Sequence, residues 1–361
     1  MKLYLAILLV IVAVAVASKE EEDLWKSYKK KFNKNHSSKE DVNRKRNFIK
    51  RQKVIEAHNR DNKEWEMGHN KFSDMTEEET NVLRGTKMVK RRVKSASEPI
   101  YPVNERALPT YIDYRSNRCL QPVEDQGECG SCWAFAAITA LEFNHCKKTG
   151  ARGPLSEQML VDCDTYNLFN HCKKTGARGP LSEQMLVDCD TYNFGCNGGD
   201  FTQAWQYLEN YGGAVNGTSY PYVSGTTQTN GTCKSGSNAI AARVGYYNWV
   251  IPYPNATLIM SYLQMEGPLP SAIKVLDSFF YYTSGVYSDP ACIVSDEYDV
   301  NHAVVIVGYG TVPSTTTSPA IPYWIVRNSW STGWGNGGYF FIRRGVNMCN
   351  IESWTAFVRA A

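Results

Sequence analysis

Gln126-Gly127-Glu128-Cys129-Gly130-Ser131-Cys132-Trp133-Ala134-Phe135 runs on without a break into Ala136-Ala137-Ile138-Thr139-Ala140-Leu141-Glu142-Phe143. From Cys132 onward the stretch is helix-forming until Lys147-Lys148-Thr149-Gly150, where two cations and a glycine suit a helix C-terminus. The helix is therefore expected to begin at Cys132, whose sulfur would sit at the positive end of the helix dipole. That position favours thiolate over thiol. The chain holds 11 cysteines, an odd number, so complete pairing would still leave one over. A spare thiol at a helix N-terminus is the first sign of chemistry.

A thiolate nucleophile needs a proton acceptor, and two later segments offer the parts. Asn301-His302-Ala303-Val304-Val305-Ile306-Val307-Gly308-Tyr309-Gly310 places a histidine at the start of an unbroken apolar strand. A lone histidine on a strand is usually a core residue, but this is one of only 6 in the chain. Tyr323-Trp324-Ile325-Val326-Arg327-Asn328-Ser329-Trp330 supplies Asn328, able to bond the far imidazole nitrogen and fix its tautomer. Trp330 would shield that bond from water. Gln126 lies six residues before Cys132 and carries a side-chain amide able to donate to an oxyanion.

The N-terminus sets the compartment. Met1-Lys2 is a short positive region, residues 3–14 are apolar, and Ala15-Val16-Ala17 offers small residues at a cleavage site. This reads as a removable secretory signal over residues 1–17, too short for a spanning helix of roughly 20 residues. Sequons at Asn35, Asn216, Asn230 and Asn255 fit that route. With 43% hydrophobic and 21% charged residues in 361, the chain is expected to fold into more than one packed unit. A formal net charge of +3 gives no support for nucleic-acid binding.

Between the signal and the cysteine-rich body, residues 20–94 are charged and nearly free of Gly and Pro. Glu40, Arg44, Phe48, Ile55 and Asn59 recur at spacings of four and seven along one helical stripe. The stripe resembles E-x3-R-x3-F-x2-N-x3-I-x3-N of the inhibitory propeptide of papain-like cysteine proteases, with Arg51 where that pattern has Asn. The companion G-x-N-x-F-x-D is complete at Gly68, Asn70, Phe72 and Asp74. A basic stretch, residues 87–94, then leads to Leu108-Pro109-Thr110-Tyr111-Ile112-Asp113, which resembles the family's mature start. The C-G-S-C-W run around Cys132 resembles that family's nucleophile segment.

The resemblance, of the cathepsin L type, covers essentially everything after the signal. It implies an α+β fold of two subdomains, one helical and carrying Cys132, one a β-barrel carrying His302 and Asn328, with the cleft between them. An α-helical propeptide spans 18–107 and the peptidase domain 108–361. It implies a cysteine endopeptidase made as a zymogen, acting through Cys132, His302, Asn328 and Gln126. Gly198, Gly199, Ala272, Trp330 and Trp354 would contact substrate, Trp354 closing the floor of the pocket for the second residue before the cut. Cys129 would pair with Cys196 and Cys292 with Cys349. Cys233 would pair with Cys189 or its copy Cys163, and Cys119 with Cys146 or Cys172 as an additional bridge. No cofactor or metal is implied, because no His/Cys cluster has ligand spacing. The expected partners are peptide substrates and the chain's own propeptide, for a monomer in a lysosome-like vesicle or outside the cell. No occluding-loop histidines argue for an exopeptidase, and Ser331 stands where the family has Gly.

One feature breaks the pattern. Residues 143–167 recur without change at 169–193, with Leu168 as the only spacer. His302 lies 302 − 132 = 170 residues after Cys132, against roughly 130–150 for the family. Removing one 26-residue period gives 144. Two copies make no solenoid, so the repeat reads as a duplication or a sequence-assembly error. If it disrupts the helical subdomain, the chain would be an inert homologue instead of an enzyme.

Overall fold

A computed structural model describes residues 19–62, 64–89, 108–150, 180–234, 239–293, 295–316 and 318–361. The signal, the end of the basic stretch and residues 151–179 lie outside the described residues, including Ser156 to Val161, Cys163 and Cys172.

The N-terminal unit is helical. Helix α1 (residues 19–31) and α2 (Ser38–Asp61) cross over Trp25, Tyr28 and Phe48, all buried. The Phe48 ring lies 4.6 Å from Tyr28 and 5.5 Å from Trp25. Further down the stripe, Asn59 clamps strand β1 (Trp65–Met67), donating to the Met67 carbonyl and accepting its N–H, both at 2.8 Å. Arg44 bridges Glu40 to Glu79 of α3 (Glu77–Asn81). Asp74 is fully buried and accepts from Tyr28 Oη, Lys34 Nζ and His36 Nε2 at 2.8, 2.8 and 2.9 Å. Arg51, the departure from the Asn pattern, lays its guanidinium 5.3 Å from the Tyr281 ring of the peptidase unit.

In the peptidase unit, β2 (Ile112–Asp113) precedes α4 (Cys132–Thr149). Helix α4 is apolar around nearly its whole circumference, so it runs through the centre of its subdomain. It begins at Cys132 and stops at Gly150, whose φ of 71° is cheap only for a residue without a Cβ. Around it stand α5 (Glu183–Cys189), α6 (Phe201–Tyr211) and the short pair β3 (Ala214–Val215) and β4 (Ile240–Ala242). Next come β5 (Val244–Trp249), α7 (Ala256–Glu266), β6 (Leu269–Ile273) and β7 (Tyr282–Tyr287).

Strand β8 (His302–Val312) is the spine of the second subdomain. It pairs with β9 (Ile321–Arg327) along one edge, and with β6 and then β2 along the other. The path continues through β10 (Tyr339–Arg343) to β7, while β11 (Ala356–Ala360) pairs with β5. Strand β1 of the N-terminal unit adds itself antiparallel to β7, so this unit completes a 7-stranded sheet of the peptidase.

Disulfides close Cys119–Cys146, Cys129–Cys196, Cys189–Cys233 and Cys292–Cys349, and Cys132 is the free cysteine among the described residues. The structure thus takes Cys146 from the first copy of the repeat and Cys189 from the second. Helix α4 uses the head of one copy and α5 the tail of the other, so the described residues together make up one composite copy. From Gly150 to Pro180 run 180 − 150 − 1 = 29 intervening residues, and removing a 26-residue period leaves three. Deleting residues 168–193 should therefore raise secreted yield. It should leave the melting temperature within about 2 °C, under ~1 kcal/mol at this size. A deletion form that melts many degrees lower in a calorimeter would show that the extra copy is structural.

Candidate active site

Three chain segments converge at the boundary between α4 and the β8–β9 hairpin. Cys132 opens α4, His302 opens β8, and Asn328 follows the last residue of β9; all three are buried. The His302 Nε2–H donates to Asn328 Oδ1 at 2.8 Å, which fixes the orientation of the ring. Nδ1 is buried with no hydrogen-bond partner. Burial works against ionising Cys132, but the neighbouring His302 outweighs it. Donors at Thr86 and the Ala303 N–H assist, so the thiol lies below its ordinary value. Both assisting donors lie 3.4 Å from Sγ.

Trp330 covers the imidazole, its ring centroid 4.7 Å away. Its other face stacks on Phe280 at 4.8 Å, and Phe72 of the N-terminal unit meets it edge-on at 5.4 Å. The His302–Asn328 bond is thereby kept from water.

Gln126 is aimed by its neighbours. Ser329 Oγ donates to its Oε1 at 2.7 Å, which turns Nε2 toward the carbonyls of Cys129 (2.8 Å) and Leu83 (3.2 Å). Leu83 belongs to the N-terminal unit, so that unit's carbonyl already sits on the donor expected to hold an oxyanion. The chain then threads the cleft. Gly199 N–H donates to the Gly85 carbonyl at 2.8 Å, and Lys87 N–H to the Gly199 carbonyl at 2.9 Å. This bridge is parallel. Thr86 presents a hydroxyl to the sulfur, not a carbonyl carbon. Gly85 lies so close to Gly130 that a Cβ on it would meet the Gly130 oxygen at 1.8 Å.

Ala272 pairs with Ala303 across β6 and β8. Trp354 is fully buried, its Nε1 donating to the Glu297 carbonyl at 2.5 Å and its ring 5.1 Å from Tyr298. Met88 of the N-terminal unit packs against the core cluster that holds Ala272, Ala303 and Trp354. The structure therefore brings Cys132, His302, Asn328, Gln126 and Trp330 together, with Gly198 and Gly199 on the opposite wall.

Sequence reasoning passed over Ser329, though it lies inside the quoted Asn-Ser-Trp run, because its role appears only once Gln126 is in place. It also passed over Thr86, which sits in an extended segment with no periodic signal. Among the described residues no group of three or more His, Cys, Asp or Glu side chains could hold a metal.

The chain is similar to known proteins over most of its length. The pattern of the papain family cysteine proteases matches residues 108–179 and 169–358, the two pieces overlapping within the repeat. The cathepsin propeptide inhibitor domain matches residues 25–80. The chain is 35% identical over 360 residues to cathepsin K of Mus musculus, covering 97% of each. It is likewise 35% identical over 365 residues to a cathepsin L-like protein of Caenorhabditis elegans, covering 96% of this chain and 97% of that one. Among solved structures, the digestive procathepsin L2 proteinase from Tenebrio molitor larval midgut superposes with a TM-score of 0.74 at 28% identity. That match covers 94% of this chain and 99% of the other. A recombinant stem bromelain precursor gives 0.74 at 27% identity over the same shares.

The contact at Gly85 yields a test. Gly85→Ala should lift the covering segment off the cleft without touching the peptidase unit. Cys132 of the intact precursor should then react with an epoxysuccinyl thiol reagent at neutral pH at least ~10-fold faster, as for a loss of about 1.4 kcal/mol. An unchanged labelling rate would show that the segment does not guard the sulfur.

Proposed function

The chain belongs to the papain family of cysteine proteases and carries a cathepsin propeptide inhibitor domain, and from the geometry of its cleft we propose a secretory-route endopeptidase. Its proposed nucleophile is the Cys132 thiolate. The observation that carries this reading is the buried array in which Asn328 orients the His302 ring and Nδ1 is left for the sulfur. Cys132 attacks the scissile carbonyl, and the oxyanion is held by Gln126 Nε2 and the Cys132 N–H. His302 protonates the leaving amine, and water then hydrolyses the thioester. The protein is read as a monomer that reaches a lysosome-like vesicle or the exterior. Among the described residues no helix is long and apolar enough to cross a membrane.

Residues 18–107 are the inhibitory segment, and acid is the proposed trigger for its release. Asp74 gathers three donors on one buried carboxylate that ties the segment together. His69 supplies the response to acid. It stacks 4.3 Å from Phe48, Nε2–H donates to Gln52 Oε1 at 2.5 Å, and Nδ1 is buried without a partner. Burial, then the Lys31 charge, push its pKa down to about 4 from 6.5. A ring kept neutral in the fold contributes stability at pH above 6.5 that is lost as pH falls towards about 4.

Active-site titration decides the mechanism. Acid-activated protein should bind one equivalent of an epoxysuccinyl thiol reagent as activity is lost, and Cys132→Ser should abolish turnover while secretion continues. Activity retained by Cys132→Ser would end the nucleophile assignment, and activated protein that titrates but cleaves no peptide would favour the inert homologue.

Trp354 is the proposed floor of the pocket for the second residue before the cut, where it leaves room for Val in preference to Phe or Arg. Trp354→Ala should broaden that preference in a positional-scanning library, shifting the Phe-to-Val ratio of kcat/KM by ~10-fold or more, the range for hydrophobic pocket contacts. A Phe preference untouched by the substitution would refute it.

A further inference from the structure

The hairpin that carries His302 runs on far beyond the cleft. Strand β8 starts at His302 and stays paired with β9 as far as Val312, which lies opposite Ile321. At ~3.3 Å per residue, its 11 residues place the far end about 30 Å from His302. Arg344 braces the outer half. Its guanidinium lies 5.4 Å from the Tyr309 ring and 5.6 Å from the Trp324 ring. Its backbone N–H donates to the Pro322 carbonyl at 3.0 Å, and its Nη2 to the Gly310 carbonyl at 3.4 Å. Beyond that brace, residues 311–316 and 318–320 are all exposed. The hairpin is a stiff arm that holds its tip out in solvent.

The tip is built from an unusual set of residues. Thr311-Val312-Pro313-Ser314-Thr315-Thr316-Thr317-Ser318-Pro319-Ala320-Ile321-Pro322 holds 6 hydroxyl residues and 3 prolines, with no charge, no aromatic ring and no Gly, Asn or Asp. Tight hairpin turns draw on Gly, Asn and Asp. Here Thr315 closes the turn instead, its N–H donating to the Ser318 carbonyl at 2.9 Å and its Oγ1 accepting the Ser318 N–H at 3.1 Å. Hydroxyls deeper in the fold are spent on internal bonds, as where Ser271 Oγ donates to the Ile351 carbonyl at 2.6 Å. Those at the tip face water, and the flanking prolines keep the chain from folding back into helix or sheet. Ser and Thr interleaved with Pro is the composition of O-glycosylated stalks. The exposed arm adds what composition alone does not, open space around each oxygen.

We propose that the tip of the β8–β9 hairpin is an O-glycosylation site, with Ser314, Thr315, Thr316 and Ser318 as acceptors of N-acetylhexosamine. The hydroxyl oxygen attacks the anomeric carbon of a nucleoside-diphosphate sugar held by a transferase of the secretory route. A glycosidic C–O bond forms, the bond from that carbon to the diphosphate breaks, and the hydroxyl proton passes to the departing nucleoside diphosphate. The site rests on the secretory route proposed above, which supplies both transferase and donor. Exposed loop tips are the places where peptidases nick a folded chain, and sugars here cover the backbone of one. At about 30 Å along β8 they leave the cleft open to peptides.

The test uses the full chain carrying Cys132→Ser, expressed under its own leader in cultured animal cells and taken from the medium. N-linked sugars on the four sequons are removed enzymatically, and the intact mass is compared with that of the polypeptide. The mass should remain high by whole N-acetylhexosamine units, and electron-transfer fragmentation should place them between Thr311 and Ser318. A variant combining Ser314→Ala, Thr315→Ala, Thr316→Ala and Ser318→Ala should lose most of that excess. A parent that carries N-linked sugars but has a bare tip, or O-linked sugars only elsewhere, would overturn the hairpin site and leave the route standing. A parent retained in the cell with neither kind of sugar would overturn the route, and the site with it. Should the variant not be secreted, the fragment spectrum of the parent decides alone.

Discussion

The meeting of one sulfur with one imidazole across a subdomain boundary governs the rest of this structure. Cys132 is delivered by a helix and His302 by a strand, so neither subdomain alone makes a site. The pair is stable only if the ring cannot turn and water cannot enter. Asn328 meets the first demand and Trp330 the second, from a single run of sequence after β9. Ser329, between them, orients Gln126. Three consecutive residues thus fix the imidazole, the Gln126 amide and the cover. That economy explains why the β8–β9 pairing needs to be long, because any slip in its register would displace all three.

The same boundary explains how the propeptide silences the enzyme without offering a bond to cut. It approaches from both sides of the reacting pair. Phe72 presses on the outer face of Trp330, and Gly85 to Lys87 pair with Gly199 on the opposite wall. What lies between is Thr86, a hydroxyl on the sulfur. The propeptide thus satisfies the polar groups of the cleft in a direction that leaves the Cys132 sulfur facing a side chain. Its own fold rests on a small, buried set of polar and aromatic contacts around Asp74 and His69.

Much of this was legible in the sequence, and for identifiable reasons. The limits of α4 follow from composition and from Gly150, because dipole and left-handed cap are local effects. Strand β8 follows from an unbroken apolar run. The α2 stripe and the Gly68-Asn70-Phe72-Asp74 set lie where spacing placed them. What local reading could not supply was anything set by distant approach. Cys146 and Cys172 are identical in their flanks, so only the fold chooses between them as partner of Cys119. Arg51 looked like a flaw in a pattern until Tyr281, 230 residues away, came beneath it. The burial of Glu142 and Glu183 leaves no signal along the chain and appears only in the fold.

Strand β1 carries a further consequence. By pairing with β7 it closes the outer edge of the large sheet, with Trp65 sealed against Tyr287 at 4.7 Å and its Nε1–H bonded to the Ser288 carbonyl. Once the propeptide departs, that edge is bare: a row of backbone donors and acceptors beside a newly uncovered aromatic surface. In the precursor the propeptide therefore guards a sheet edge as well as the cleft, two duties carried by one segment.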